Sequence, residues 1–216
     1  MDVAIAGGHG QIALHLSRML STRGDTVRGI IRSADQQDDL DAVGARGVVL
    51  DLERASVVEV ADAIDGADAV VFAAGAGPGS GAARKDTVDY EASVKLRKAA
   101  EQAGVGRYIM ISSMGTDDPS DGDGVFDVYL RAKARADRDL MASDLAWTII
   151  RPGRLTNDPS TGRVTLARHV ERGEVPREDV AAVIVAALDN TASAGHIVEV
   201  VSGDTPIADA LAAVTG

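Results

Sequence analysis

The chain has 216 residues, 45% hydrophobic and 25% charged, a balance that excludes a disordered polypeptide and suffices for one sizeable core. A formal net charge of -11 with no compensating Lys/Arg cluster argues against a nucleic-acid backbone as partner. The absence of cysteine excludes disulfides and thiolate metal sites and fits a reducing compartment.

No linker divides the sequence, so a single domain over residues 1–216 is expected, with a small loop-rich region at about 153–175 on the substrate side. The strand pattern starts at residue 2, which leaves no room for a signal peptide, and the longest apolar run, Val180 to Leu188, is about half of a membrane span of roughly 18 residues. The expectation is a cytoplasmic protein whose partner is a small molecule, neither nucleic acid nor membrane, with its oligomeric state open.

Val3 to Ala6 suits a strand buried on both faces, and Ile12, Leu16, Met19 and Leu20 then recur at helical spacing. The glycines between them, Gly7, Gly8 and Gly10, therefore lie where a strand hands over to a helix N-terminus. Such a junction suits a pyrophosphate, because the first helical N–H groups have no internal partner and point along the helix dipole. Gly8 to Ala13 fits G-x-G-x-x-A and Gly7 to Ala13 fits G-x-x-G-x-x-A, which puts Gln11 and Ile12 in the first turn above the phosphates.

Thr26 to Ile31 reads as the second strand and is followed at once by Arg32, where a dinucleotide fold meets the adenosine ribose. A carboxylate there would bond the 2′-hydroxyl of NAD; an arginine faces the 2′-phosphate of NADP. Asp35 is assigned to the opening of a helix, Gln36 to Val43. The third strand, Val48 to Leu50, runs into Asp51 and Leu52, a pair that suits either the adenine or a helix-opening turn. Ala69 to Ala74 is the fourth strand, after a helix at Val57 to Ile64.

Gly75 to Gly81 follows as a loop that overhangs the crevice, as a lid or as a plain surface loop, and a long helix spans Asp86 to Ala103. The fifth strand, Arg107 to Ile111, leads into Ser112 and Ser113 and then an acidic loop, Thr116 to Gly124, read as solvated because it lacks a calcium-loop spacing. A helix from Phe126 to Leu140 carries Tyr129 and Lys133 one turn apart on one face. Trp147 to Ile150 makes the sixth strand, closed by Arg151, Pro152 and Gly153. An irregular stretch to Gly173 contains a short strand at Val164 to Leu166. A helix bearing Val180, Val183, Ile184, Ala187 and Leu188, a strand at His196 to Val201 and a terminal helix after Pro206 complete the chain. The four histidines have no metal-site spacing, and no metal is expected.

Tyr129, Lys133 and one of Ser112 or Ser113 form the constellation with chemistry in it. An ammonium beside a phenol favours the phenolate for oxidation, while in reduction the neutral phenol donates a proton to a carbonyl oxygen that a serine hydroxyl holds. Taken with the Gly7, Gly10 and Ala13 turn, Arg32, Asp51-Leu52, Ala73-Ala74-Gly75 and Arg151-Pro152-Gly153, the chain resembles an atypical short-chain dehydrogenase/reductase. The resemblance is to the NAD(P)H-binding group that includes NmrA-like and biliverdin reductase B-like proteins. It covers nearly the whole chain and implies an α/β doubly wound Rossmann sheet of strand order 3-2-1-4-5-6-7. It further implies NADP (NADPH) as cofactor, Ser113 as the catalytic serine, and Ala73, Ala74, Gly75, Lys133 and Pro152 beside the cofactor. The activity implied is hydride transfer to or from a small carbonyl, quinone or flavin-like substrate; the alternative within the group is a catalytically idle NADP(H)-binding redox sensor.

Overall fold

Val3 and Ile5 of strand β1 (Asp2–Ala6) enter one layer of the core and Ala4 and Ala6 the other, which is why this run is continuously apolar and does not alternate. The computed structural model describes residues 1–77 and 79–216, so Pro78 of the glycine-rich loop lies outside the described residues. β1 pairs in parallel with β2 (Thr26–Ile31) on one side and β4 (Ala69–Phe72) on the other. β3 (Arg46–Val49) adds to β2, while β5 (Arg107–Ile111) and β6 (Ala146–Pro152) continue from β4.

Three short strands intervene before the next parallel one: β7 (Arg154–Thr156), β8 (Arg163–Ala167) and β9 (Glu174–Pro176). That next one, β10 (His196–Ser202), lies against β6, so the seven parallel strands stand in the order expected. β8 runs antiparallel to β10, and β11 (Thr205–Pro206) antiparallel to β8, extending the same sheet. β7 and β9 form a separate parallel pair, which gives the region after Pro152 more order than the irregular stretch expected there.

Helices cover both faces. α1 (Gln11–Arg23), α7 (Arg177–Asp189) and α8 (Ile207–Thr215) bring Leu16, Leu20, Val180, Ile184 and Leu211 to the side of Val3 and Ile5. α3 (Val57–Ile64), α5 (Ala92–Ala103) and α6 (Val125–Met141) bring Val60, Ile64, Leu96, Ala99 and Leu140 to the other. Gly24 ends α1 in the left-handed conformation that its missing Cβ permits, and Ser56 with Glu59 opens α3 as a capping box.

Two helices differ from expectation. The helix after β2 opens as a 3-10 turn at Ala34–Gln36, with Ser33 before it, and continues as α2 (Gln37–Asp41), so Asp35 lies inside the first turn and does not cap it. The long helix begins earlier, as α4 (Ala82–Arg84), and its next stretch, Lys85–Glu91, is π-helical before α5 resumes regular geometry. In that stretch Lys85, Val88 and Asp89 are buried, which a regular helix read from the sequence does not disclose.

Behind the end of β6, Arg151 is almost wholly buried and pairs with Asp137 of α6 at 3.0 Å and with Asp117 at 2.7 Å. Burial pushes the Asp137 carboxyl upward against the pull of Arg151. For Asp117 burial also acts upward, but hydrogen bonds from Arg168 and Arg151 outweigh it and hold the carboxyl low. Asp117 thus anchors its loop while remaining exposed to solvent. His169 and Glu199 bring ligand atoms near Asp117, whose two oxygens already serve two guanidinium groups. Arg151→Met is expected to cost about 3 to 5 kcal/mol in urea unfolding, because Asp137 is left as a buried charge without its partner; a loss below about 1 kcal/mol would contradict this.

Candidate functional site

The turn between β1 and α1 is shaped by contacts that admit no side chain. Gly7 has φ +81°, and a Cβ on it would stand 2.6 Å from the Cα of Ala74. Its carbonyl accepts the Gly10 N–H at 2.9 Å, and Gly10 N-caps α1 with no side chain bonded to the helix end. The Leu14 N–H already bonds the Gly10 carbonyl, so the N–H groups of Gln11, Ile12 and Ala13 are the ones left to an external acceptor.

Beside the turn lies a cavity of about 310 Å³, lined by Gly7, His9, Gly10, Arg32, Asp51, Leu52, Ala73, Ala74 and Gly75 among others. Arg32 is exposed and makes no ion pair or side-chain hydrogen bond among the described residues. The Asp51 Oδ1 accepts the Glu53 N–H at 3.0 Å in a turn ahead of α3, which Ser56 and not Asp51 opens, and Asp51 also borders the cavity. Across the mouth, Glu53 accepts from Arg84 and Thr87, both at 2.7 Å, and the Arg84 bond, with Thr87 adding to it, holds the Glu53 carboxyl below its ordinary range.

A second cavity of about 560 Å³ shares Ala73, Ala74 and Gly75 with the first, so the two form one crevice along the carboxyl ends of the parallel strands. Ile12, Ser113, Tyr129, Lys133 and Pro152 line it, with Val125, Phe126 and Leu155 as apolar walls. The Gly75–Gly81 loop overhangs it through Gly77 and Gly79, and Lys85 bonds the Gly77 carbonyl at 2.9 Å while lying 5.4 Å from the Tyr129 ring centre.

Lys133 is held from two sides. Its Nζ donates to the Ile111 carbonyl at 3.1 Å and stands 3.5 Å from Oδ1 of Asp89, whose other oxygen accepts the Ala76 N–H at 3.3 Å. Asp89 is fully buried, so the pair places one positive and one negative charge in a dry setting. Asp89→Asn is expected to cost of order 2 kcal/mol, and Lys133→Met in the same chain to recover part of it, since the orphaned charge is then gone. A double-mutant cycle of unfolding free energies checks this; a coupling below about 0.5 kcal/mol would refute the pairing.

The structure gathers most of the sequence-selected residues into this crevice, with two exceptions. Gly8 is buried away from it; its N–H is taken by the Ile30 carbonyl at 2.9 Å, and a Cβ would stand 2.6 Å from the Cα of Gly29, so its smallness serves the packing of β1 on β2. The Gln11 side chain borders a separate hollow with His15, Asn157 and Arg177, leaving only its backbone N–H at the turn. Both serines line the second cavity; the Ser113 hydroxyl donates to the Met114 carbonyl at 3.2 Å, and the more deeply buried Ser112 lies in front of Asp137. Sequence reasoning missed Glu53, Arg84, Lys85 and Asp89. The only signal for them was their place after the third and fourth strands, which fixes no partner.

A family model described as NAD(P)H-binding matches residues 7–191. The chain is 38% identical over 212 residues to the uncharacterized sugar epimerase YhfK of Bacillus subtilis (strain 168), covering 98% of this chain and 99% of that protein. A solved structure from Bacillus halodurans, described provisionally as an NAD-dependent epimerase/dehydratase, is 38% identical with a TM-score of 0.92, covering 99% of this chain and 100% of that one. A short-chain dehydrogenase/reductase from Veillonella parvula DSM 2008, solved in complex with NADP, shares the fold at 20% identity, with a TM-score of 0.75 and 95% and 96% of the two chains covered. Among the described residues no helix is long and apolar enough to cross a membrane.

Proposed function

The chain belongs to the NAD(P)H-binding family, and on that premise we propose that it is an NADP(H)-dependent oxidoreductase of the short-chain dehydrogenase type, acting on a small carbonyl, quinone or flavin-like substrate. The observation that carries the reading is the single crevice with an uncapped helix end and Arg32 in one half and Tyr129, Lys133 and Ser113 in the other.

The residues fit the cofactor. The Gly7–Gly10 turn leaves a cradle that a Cβ on Gly7 or Gly10 would crowd, and the free N–H groups of α1 suit a pyrophosphate. Arg32 would take the 2′-phosphate as a charge-assisted fork, and Leu52 with Asp51 would border the adenine. Ala73 to Gly75 and Pro152 would flank the nicotinamide, with Lys133 toward its ribose. A bound NADPH would supply the hydride. Tyr129 would donate the proton that balances it on the substrate oxygen, and Ser113 would turn its hydroxyl from the Met114 carbonyl to hold that oxygen.

One observation favours a second reading, an idle NADP(H)-binding redox sensor: Lys133 and Ser113 are both already bonded within the protein. A sugar-epimerase role, the name of the Bacillus subtilis relative, is less suited to walls of Val125, Phe126 and Leu155, which offer a polyhydroxylated substrate few partners. A screen of NADPH oxidation against carbonyls and quinones tests the proposal. Oxidation with one or more acceptors supports it, and tight NADPH binding without oxidation by any of them turns the assignment to the sensor.

A further inference from the structure

The crevice continues past Ser113. A hollow of about 360 Å³ shares Ser113, Phe126, Pro152 and Gly153 with the second cavity; of the residues assigned above to the cofactor it contains only Pro152, at the nicotinamide end, and none of those given to the adenosine, the pyrophosphate or the segment from Ala73 to Gly75. It is therefore the part of the groove that a dinucleotide leaves to the substrate. Its apolar wall comes from Met114, Phe126 and Pro152, and its charged lining is Arg154 and Arg172, with no carboxylate among the described lining residues. In a chain of net charge -11 a concave surface lined only by cations is a local reversal of sign.

The two arginines are not equivalent. Arg154 is already engaged by Glu174 across the β7–β9 pair, whereas Arg172 makes no ion pair or side-chain hydrogen bond among the described residues. One uncommitted guanidinium matches one single negative charge, and its paired N–H groups fit the two oxygens of a carboxylate. A phosphate dianion would ask for more donors than the hollow supplies. Phe126 and Val125, both more than half exposed at the rim of the second cavity, provide a face for an apolar or aromatic body between Arg172 and Tyr129.

We infer that the substrate is an apolar, flat molecule bearing a carboxylate, with the acid end bound by Arg172 in this branch and the reducible group held under Tyr129. This rests on the oxidoreductase reading for the reacting end, while the acid end is a statement about binding alone. Arg172 is itself exposed, so the preference rests on the fork geometry and the apolar face beside it and should weaken as salt is added.

The test separates the two. Protein saturated with NADP is titrated calorimetrically with a redox-inert pair, naphthoate and naphthylmethanol, in the wild type, Arg172→Ala and Arg172→Lys. Naphthoate is expected to bind about tenfold tighter than the alcohol, the preference to vanish in Arg172→Ala and to return in part in Arg172→Lys, which keeps the charge but not the fork. Equal binding of the two compounds by the wild type, or a preference that survives Arg172→Ala, overturns the inference. A protein that never oxidises NADPH yet shows the Arg172-dependent preference supports the acid subsite while the oxidoreductase reading fails.

Discussion

Tyr129→Phe is expected to leave NADPH binding nearly unchanged while turnover falls by about 10²- to 10⁴-fold, the usual value of a positioned general acid. The ring and its packing survive the change: it lies 5.9 Å from Phe126 between centroids, and Lys85 sits over its face. Only the hydroxyl is lost. Lys133→Ala should differ in kind, weakening the cofactor as well as turnover, and it also frees the buried Asp89 carboxylate from its counter-charge. Steady-state kcat for the three proteins on any acceptor from the screen, together with NADPH titration, separates the cases. A Tyr129→Phe protein within a factor of two of wild type would remove the tyrosine from the mechanism.

Arg32→Ala is expected to weaken NADP binding by about 10- to 100-fold and to leave NAD nearly unaffected, because a charge-assisted bond to the 2′-phosphate is worth about 1.5 to 3 kcal/mol. Arg32 makes no ion pair or side-chain hydrogen bond among the described residues and acts on Glu53 only through its charge at a distance, so little stability should be lost with it. Glu53, which lines the same cavity, is committed to Arg84 and Thr87 and does not compete for Arg32 by hydrogen bond. Calorimetric titration of both cofactors measures the preference. Equal or tighter binding of NAD by the wild type would end the role given to Arg32.

The parallel sheet was legible because its inner strands are buried on both faces and each connection carries a helical period; only the edge strand β3, with no buried residue, rested on a short apolar run alone. The glycine turn, Arg32, Tyr129 and Lys133 were legible for another reason: their chemistry depends on spacing within a few residues. Asp89 was not, since its meaning comes from Lys133 and Ala76, brought to it by the π-helical stretch and the loop after β4. The inward turn of Gly8 and the direction of the Gln11 side chain were not legible for the same reason. Whether a turn residue faces the crevice or the neighbouring strand depends on the direction of its backbone, and a glycine pattern does not encode that. The pairing of the exposed Asp117 was not legible either, because the buried Arg151 that it meets lies on a strand far along the chain.

The most direct test of hydride transfer in this crevice uses NADPH deuterated at the transferring position of the nicotinamide, incubated with the wild-type protein and the carbonyl acceptors of the screen. The account predicts deuterium on the carbinol carbon of the product, read by mass spectrometry, and its near absence with Tyr129→Phe over the same interval. NADPH that binds tightly but keeps its label against every acceptor would contradict it.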